Sequence, residues 1–168
     1  EDSFDGVVVG EGETAWSEII TSGATRNGVV MGPAIGNLDT IPFPDRDFIK
    51  VERCLGVAQR EEGRRVTGIL GNRGCLRRCK FCADGSAKTI YGVKLRERSP
   101  MDILAEMKIV QMKYDIEFFK FADPEVNTRP GRVKELCETF IKHGWDTPWG
   151  GNFLANPLDE NDAKMLYD

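Results

Sequence analysis

The sequence predicts an α/β protein built on a parallel sheet, and three observations carry that expectation. From residue 66 onward, segments patterned as strand and as helix alternate, three of each. Strands separated by helices cannot pair as tight hairpins, so right-handed crossovers must lay them side by side. At 168 residues, 40% apolar and 30% charged, the chain is long enough for one ordinary core and too short for two complete domains.

Taken in order, Val7 to Val9 form a β-branched run, a Gly-Glu-Gly-Glu turn follows, and Ala15, Trp16, Ile19 and Ile20 recur at helical spacing until Gly23. That is one βα unit. Between Gly28 and Asp47 the composition shifts to Gly, Pro, Asn and Asp, and Pro33, Pro42 and Pro44 oppose any long regular element. Residues 28–65 therefore read as a linker between residues 1–27 and 66–168. Val66 to Leu70 is the next strand, and Gly71 to Arg98 a long loop. Ser99 is a good N-cap and Pro100 suits the first helical position, with Ile103, Met107, Val110 and Tyr114 on one face. Ile116 to Ala122 is the second strand, and a loop spans Asp123 to Arg129. Val133, Leu136, Cys137, Phe140 and Ile141 then mark a helix that stops at Gly144. Thr147 to Leu154 is a third strand, and Asp159 caps a last helix that the end of the chain cuts off. The absence of an initiator Met and this truncated helix read as a fragment of a longer protein.

No apolar run approaches the roughly 20 residues that cross a bilayer, and no basic segment precedes an apolar one near residue 1. The sequence is accordingly read as cytoplasmic, without a membrane partner. A net charge of -4 argues against a surface that grips nucleic acid throughout. Between Arg73 and Arg98, however, eight basic residues face two acidic ones, a local charge of +6. That surplus is expected either to tune a metal centre and meet an anionic partner or to be a solvated loop. It lacks the aromatic platform of an RNA-binding surface.

Chemistry concentrates in Cys75-Leu76-Arg77-Arg78-Cys79-Lys80-Phe81-Cys82. Its C-x3-C-x2-C spacing lets three thiolates converge on one inorganic centre. A structural zinc site wants four closed ligands, and the remaining candidates are poor. Cys137 lies on an apolar helix face, the sole histidine, His143, near that helix's end, and Cys54 is 21 residues upstream. Three thiolates suit instead a four-iron four-sulfur cluster with one iron open to an outside ligand. A non-catalytic zinc- or RNA-binding module on the same thiolates is the alternative reading. Gly10-x-Gly12-x-x-Ala15 also fits a dinucleotide fingerprint, but Glu11 and Glu13 would repel a pyrophosphate there, so nicotinamide binding is rejected.

The cysteine loop, with Phe81 at the aromatic position, resembles the radical S-adenosylmethionine (SAM) family. Asn72-Arg73-Gly74, Arg96-Glu97-Arg98-Ser99-Pro100 and Phe118-Phe119-Lys120-Phe121-Ala122-Asp123 resemble the subgroup with a cobalamin-binding domain upstream. Phe4 to Glu13 is similar to the last βα unit of that Rossmann-like domain, and Leu38 to Arg46 to the linker that follows it. The resemblance implies that residues 66–168 are the first half of a partial TIM-type barrel. It implies that Cys75, Cys79 and Cys82 hold the 4Fe-4S cluster while SAM chelates the fourth iron and is split to a 5'-deoxyadenosyl radical. Phe81 would pack beside the cluster. The family's Gly-Gly-Glu segment, which contacts the methionyl amine, is replaced by Ala122-Asp123-Pro124-Glu125, so Asp123, with Glu125 in reserve, would pair with that ammonium. Cobalamin as a further cofactor, a methyltransferase reaction, an electron donor such as flavodoxin or ferredoxin, and a small-molecule or peptide substrate are further implications. Because later strands of the barrel would lie beyond Asp168, the isolated chain is expected to bind SAM poorly.

Overall fold

A computed structural model describes residues 4–23, 28–77, 79–82, 94–156 and 158–167. Within them the chain is mixed α/β, and its strands pair in parallel apart from one short ribbon. The run Val7 to Val9 lies inside β1 (Gly6–Gly10), and α1 (Gly12–Ser22) follows it. Gly23 ends the helix at a φ of 63°, the left-handed conformation that glycine adopts without a Cβ penalty.

The 28–65 segment carries more regular structure than its composition announces. β2 (Gly28–Gly32) lies parallel to β1, with Gly6 opposite Gly28 and Gly10 opposite Gly32. A Cβ on Gly32 would stand 2.0 Å from the Glu11 carbonyl oxygen, so the close crossing requires glycine. A 3-10 turn (Leu38–Thr40) is capped by the Asn37 side chain, which accepts from the Asp39 amide at 3.1 Å. α2 (Val51–Glu62) then buries Val51 and Leu55. Its start gives no sequence signal, because Lys50 takes the N-cap position in a left-handed conformation and contributes no side-chain cap.

The main sheet runs β3 (Val66–Ile69), β6 (Phe118–Phe121), β7 (Trp149–Gly150), in that spatial order and all parallel. Between β3 and β6, a ribbon of β4 (Asn72–Arg73) and β5 (Arg96–Glu97) pairs antiparallel at the two ends of the cysteine loop. α3 (Pro100–Tyr114) begins as predicted, with the Ser99 hydroxyl accepting from the Asp102 amide at 3.2 Å. α4 (Arg132–Lys142) buries Val133, Leu136, Cys137 and Phe140, while Ile141, the last member of its predicted stripe, is exposed. Asp159 caps α5 (Glu160–Tyr167) by accepting from the Asp162 amide at 2.8 Å.

The third strand is shorter than predicted. Beyond Gly150 the chain leaves the ladder and bonds to the loop after β6 instead: the Val126 amide donates to Asn152 O at 2.8 Å. Helices and sheet share one core that includes Ile69, Ile103, Met107, Phe119, Phe121, Leu136 and Phe140. The Trp149 ring meets Phe121 and Phe140 at centroid distances of 5.2 and 5.5 Å. No helix among the described residues is long and apolar enough to cross a membrane.

One buried carboxylate ties the linker to this core. Glu106 on α3, 2% exposed, receives Arg46 at 2.8 Å and Arg98 at 2.6 Å. The same guanidinium groups donate to the carbonyls of Gly68 (3.0 Å) and Leu70 (2.8 Å), so both sides of the β3 end are held. Removing the carboxylate leaves buried Arg46 with no counter-charge among the described residues and Arg98 with Asp102 alone, at 2.7 Å. Glu106→Ala is therefore expected to lower stability by about 3–5 kcal/mol, read as a fall in the urea midpoint. A loss below about 1 kcal/mol would mean that the two arginines re-solvate freely.

Candidate functional site

The carboxyl ends of β3, β6 and β7 meet on one face, where ligands of parallel sheets bind. They are joined by polar bonds rather than by strand pairing. Asp123, 1% exposed just after β6, accepts from the Gly71 amide with both oxygens and from the Asn72 amide with Oδ1, each at 3.0 Å. Asn72 Nδ2 donates back to Glu125 O at 2.9 Å, and Asn152 Nδ2 to Asp123 O at 3.2 Å. Asn127 clasps Leu154 in both directions, accepting from its amide at 2.9 Å and donating to its carbonyl at 2.7 Å. The approach is close enough to exclude side chains. A Cβ on Gly71 would lie 2.9 Å from the Phe121 ring, and one on Gly151 would lie 2.7 Å from Val126.

The cysteine loop rises from this platform through the β4–β5 ribbon. Cys75 is buried, and its Sγ accepts from the Arg77 amide at 3.3 Å. Cys79 is exposed and Cys82 half-buried, with the Cys82 amide donating to Cys79 O at 3.2 Å. Phe81 is 96% exposed. Among the described residues no group of three or more Cys, His, Asp or Glu side chains is gathered closely enough to hold a metal ion. Arg78, Asp84 and Lys88 of the loop lie outside the described residues. Cys137 sits in the α4 core, where burial pushes its thiol up to about 11, and Cys54 is exposed on α2. His143 closes α4, its Nδ1 at 2.8 Å from Thr139 O.

The arginines around the loop turn inward, each toward a carboxylate that lies far away in sequence or on a neighbouring element. Arg73 pairs with Glu13 and Glu11, and Arg96 with Glu11. Glu11 also accepts from the Ile35 amide at 2.7 Å, and Arg96 donates to Ile35 O at 2.6 Å. Burial opposes the charge on Glu11, but the hydrogen bonds from Arg96 and Ile35 prevail and hold its carboxyl below the ordinary range. Glu97 takes the Thr128 hydroxyl and, at 2.9 Å, Arg129. These pairings were not legible from spacing.

Glu125 differs from Asp123. It is 2% exposed, its Oε2 receives Arg77 Nε at 3.2 Å, and its Oε1 is buried with no hydrogen-bond partner among the described residues. A buried carboxylate oxygen left bare is costly, and in a site it marks a place for a donor. Both oxygens of Asp123 are already engaged by backbone amides, and the residue acts as a strut.

Burial pushes the Asp123 carboxyl from 3.8 up to about 6, against the hydrogen bonds from Asn72 and Gly71 and the charges of Arg132 and Arg98. The folded chain therefore binds this proton more tightly than the unfolded one. The associated stability is fully present below 3.8 and is lost as pH rises through about 6. The change amounts to about 3 kcal/mol. Asp123→Asn should remove this dependence. Urea unfolding at pH 4 and pH 7 should show the variant gaining relative to the parent by up to that amount at the higher pH, and an equal difference at both would refute the raised carboxyl.

No protein-family model matches the chain. The cytidylyl-2-hydroxyethylphosphonate methyltransferase of Streptomyces wedmorensis is 31% identical over 121 residues, which cover 68% of this chain and 22% of that enzyme. The anaerobic magnesium-protoporphyrin IX monomethyl ester cyclase of Rubrivivax gelatinosus is 27% identical over 180 aligned positions, covering 97% of this chain and 32% of that enzyme. The chain thus spans a third or less of the length of these curated relatives. Both relatives are enzymes, and likeness to the two together supports the radical SAM family for this chain.

Proposed function

We propose that the chain is part of a radical SAM enzyme, in which residues 66–168 form the first half of a partial TIM-type barrel and Cys75, Cys79 and Cys82 hold a 4Fe-4S cluster. In the same reading, residues 1–27 belong to the end of a cobalamin-binding domain, to which the pairing of β2 with β1 adds residues 28–32, and the rest of 28–65 is the connection. The observation that carries it is position. A C-x3-C-x2-C loop stands at the carboxyl end of the first strand of a parallel sheet, beside a buried carboxylate with a bare oxygen. Three thiols on one loop are the donor set such a cluster takes, and the loop would draw them together around it. When bound, the cluster supplies the electron that splits SAM.

The rest of the work falls to side chains of this protein. Glu125 Oε1 suits the methionyl ammonium, which would satisfy the bare acceptor with a charge-assisted bond. Asp123 fixes the backbone from which both Glu125 and the cysteine loop start. Arg77, within the cysteine motif, orients Glu125 from the other side. The exposed Cys79 and Phe81 leave the loop accessible to an electron donor such as flavodoxin or ferredoxin. The name of the Streptomyces relative supports methyl transfer as the reaction, and the sequence resemblance alone supplies cobalamin as the methyl carrier.

Anaerobic reconstitution tests this reading directly. The parent chain should take up about four iron and four sulfide per protein and show thiolate-to-iron absorption. Replacing Cys75, Cys79 or Cys82 with Ala should abolish that absorption, while Cys54→Ala and Cys137→Ala leave it intact. Stoichiometric zinc without sulfide would instead establish the non-catalytic module.

A further inference from the structure

The cysteine loop springs from a ribbon of two cross-strand pairs, Asn72 opposite Glu97 and Arg73 opposite Arg96. The two rungs are held from different places. The Asn72–Glu97 rung is fastened to the main sheet: the Asn72 amide donates to Asp123, and Glu97 takes the Thr128 hydroxyl and Arg129. The Arg73–Arg96 rung lies on the loop side, just before Cys75, and sets two like charges opposite each other, which works to open the ribbon. A ribbon this short has little stability of its own to set against that repulsion.

The answering charge comes from the amino-terminal unit. Glu11, between β1 and α1, receives Arg96 Nη1 on Oε2 at 2.9 Å and Arg96 Nη2 on Oε1, and its Oε2 lies 3.4 Å from Arg73 Nη1. The Glu11 side chain is 14% exposed and that of Arg96 11%, so water and salt screen the pair weakly. Arg73 has Glu13 as a second partner, whereas Glu11 is the one carboxylate that Arg96 meets among the described residues. Ile35, which donates to Glu11 and accepts from Arg96, completes the cluster.

We infer that Glu11 is a positioning residue for the cysteine loop: it neutralises the Arg73–Arg96 rung and thereby holds Cys75 in place from a separate structural unit. A displacement of the β1–α1–β2 unit is in this way transmitted to the loop. The hold on the thiols requires no cluster, and its effect on cluster assembly rests on the radical SAM reading above.

The test follows alkylation of each cysteine by mass spectrometry in the whole, metal-free chain. In the parent, buried Cys75 should react at least about tenfold more slowly than exposed Cys79. Glu11→Gln keeps the shape and removes the charge. It should speed Cys75 about tenfold, between the worth of an exposed and a buried ion pair, while Cys137 in the α4 core stays protected. Adding Arg96→Gln to Glu11→Gln removes the like-charge rung and should return Cys75 to within about threefold of the parent, a rescue that a general loss of stability would not give. On anaerobic reconstitution, Glu11→Gln should take up iron about threefold more slowly than the parent. A parent chain that takes up no iron would refute the cluster reading and leave the thiol rates to decide this inference. An unchanged Cys75 rate in Glu11→Gln, Cys137 rising in step with Cys75, or a double variant as reactive as the single would each overturn it.

Discussion

The carboxylate of Asp123 is the joint on which the face of the sheet depends. Parallel strands end with unpaired amides, and at β3 those of Gly71 and Asn72 point toward the end of β6. A carboxylate placed there satisfies them across the gap, so two strand ends become one surface without a further ladder rung. Its buried position is expensive for the charge, which is why the amides and the more distant Arg132 and Arg98 must support it. Once the joint is made, Asn72 reaches Glu125, Asn152 reaches Asp123, and the third strand leaves its ladder to bond the loop instead.

Around that joint, cationic side chains act as fasteners. The +6 excess between Arg73 and Arg98 looks on paper like an offer to an anionic partner. In space the described arginines there meet Glu11, Glu13, Asp102, Glu106 and Glu125. Arginine suits this because its planar fork can bond a carboxylate and a carbonyl at once, as Arg98 does with Glu106 and Leu70 O. The acidic whole-chain balance and the basic loop are two halves of one arrangement.

Much of the fold was legible because it rests on local rules. Ser99, Pro100 and Asp159 cap helices by their own chemistry, Gly23 ends one, and the stripe Val133, Leu136, Cys137, Phe140 faces the core. What escaped depends on distant partners. β2 exists because β1 is beside it, α2 starts without a capping side chain, and Thr147 to Leu154 exchanges strand pairing for Asn127 and Val126. The candidate site divides the same way. The cysteine spacing stands out in one loop, whereas the different duties of Asp123 and Glu125 follow from which backbone amides happen to lie opposite each. Nothing in Ala-Asp-Pro-Glu distinguishes a carboxylate with both oxygens engaged from one with an oxygen left bare.

The Glu11 cluster has a kinetic consequence. The β1–α1–β2 unit buries Ala15 and otherwise shows much of its apolar surface, including Trp16, Ile20, Val29 and Met31. Its polar anchorage to the ribbon runs from Glu11 to Arg96, across 85 residues of chain. Closing so long a loop gains its reward only after the main sheet has put Arg73 and Arg96 in place, because contacts of large sequence separation form late. A unit held in this way also opens at lower free energy than the core it leans on. Amide protons of β1 and β2 should thus exchange with solvent well before those of β3 and β6, marking the amino-terminal unit as a separate cooperative piece that seats last and leaves first.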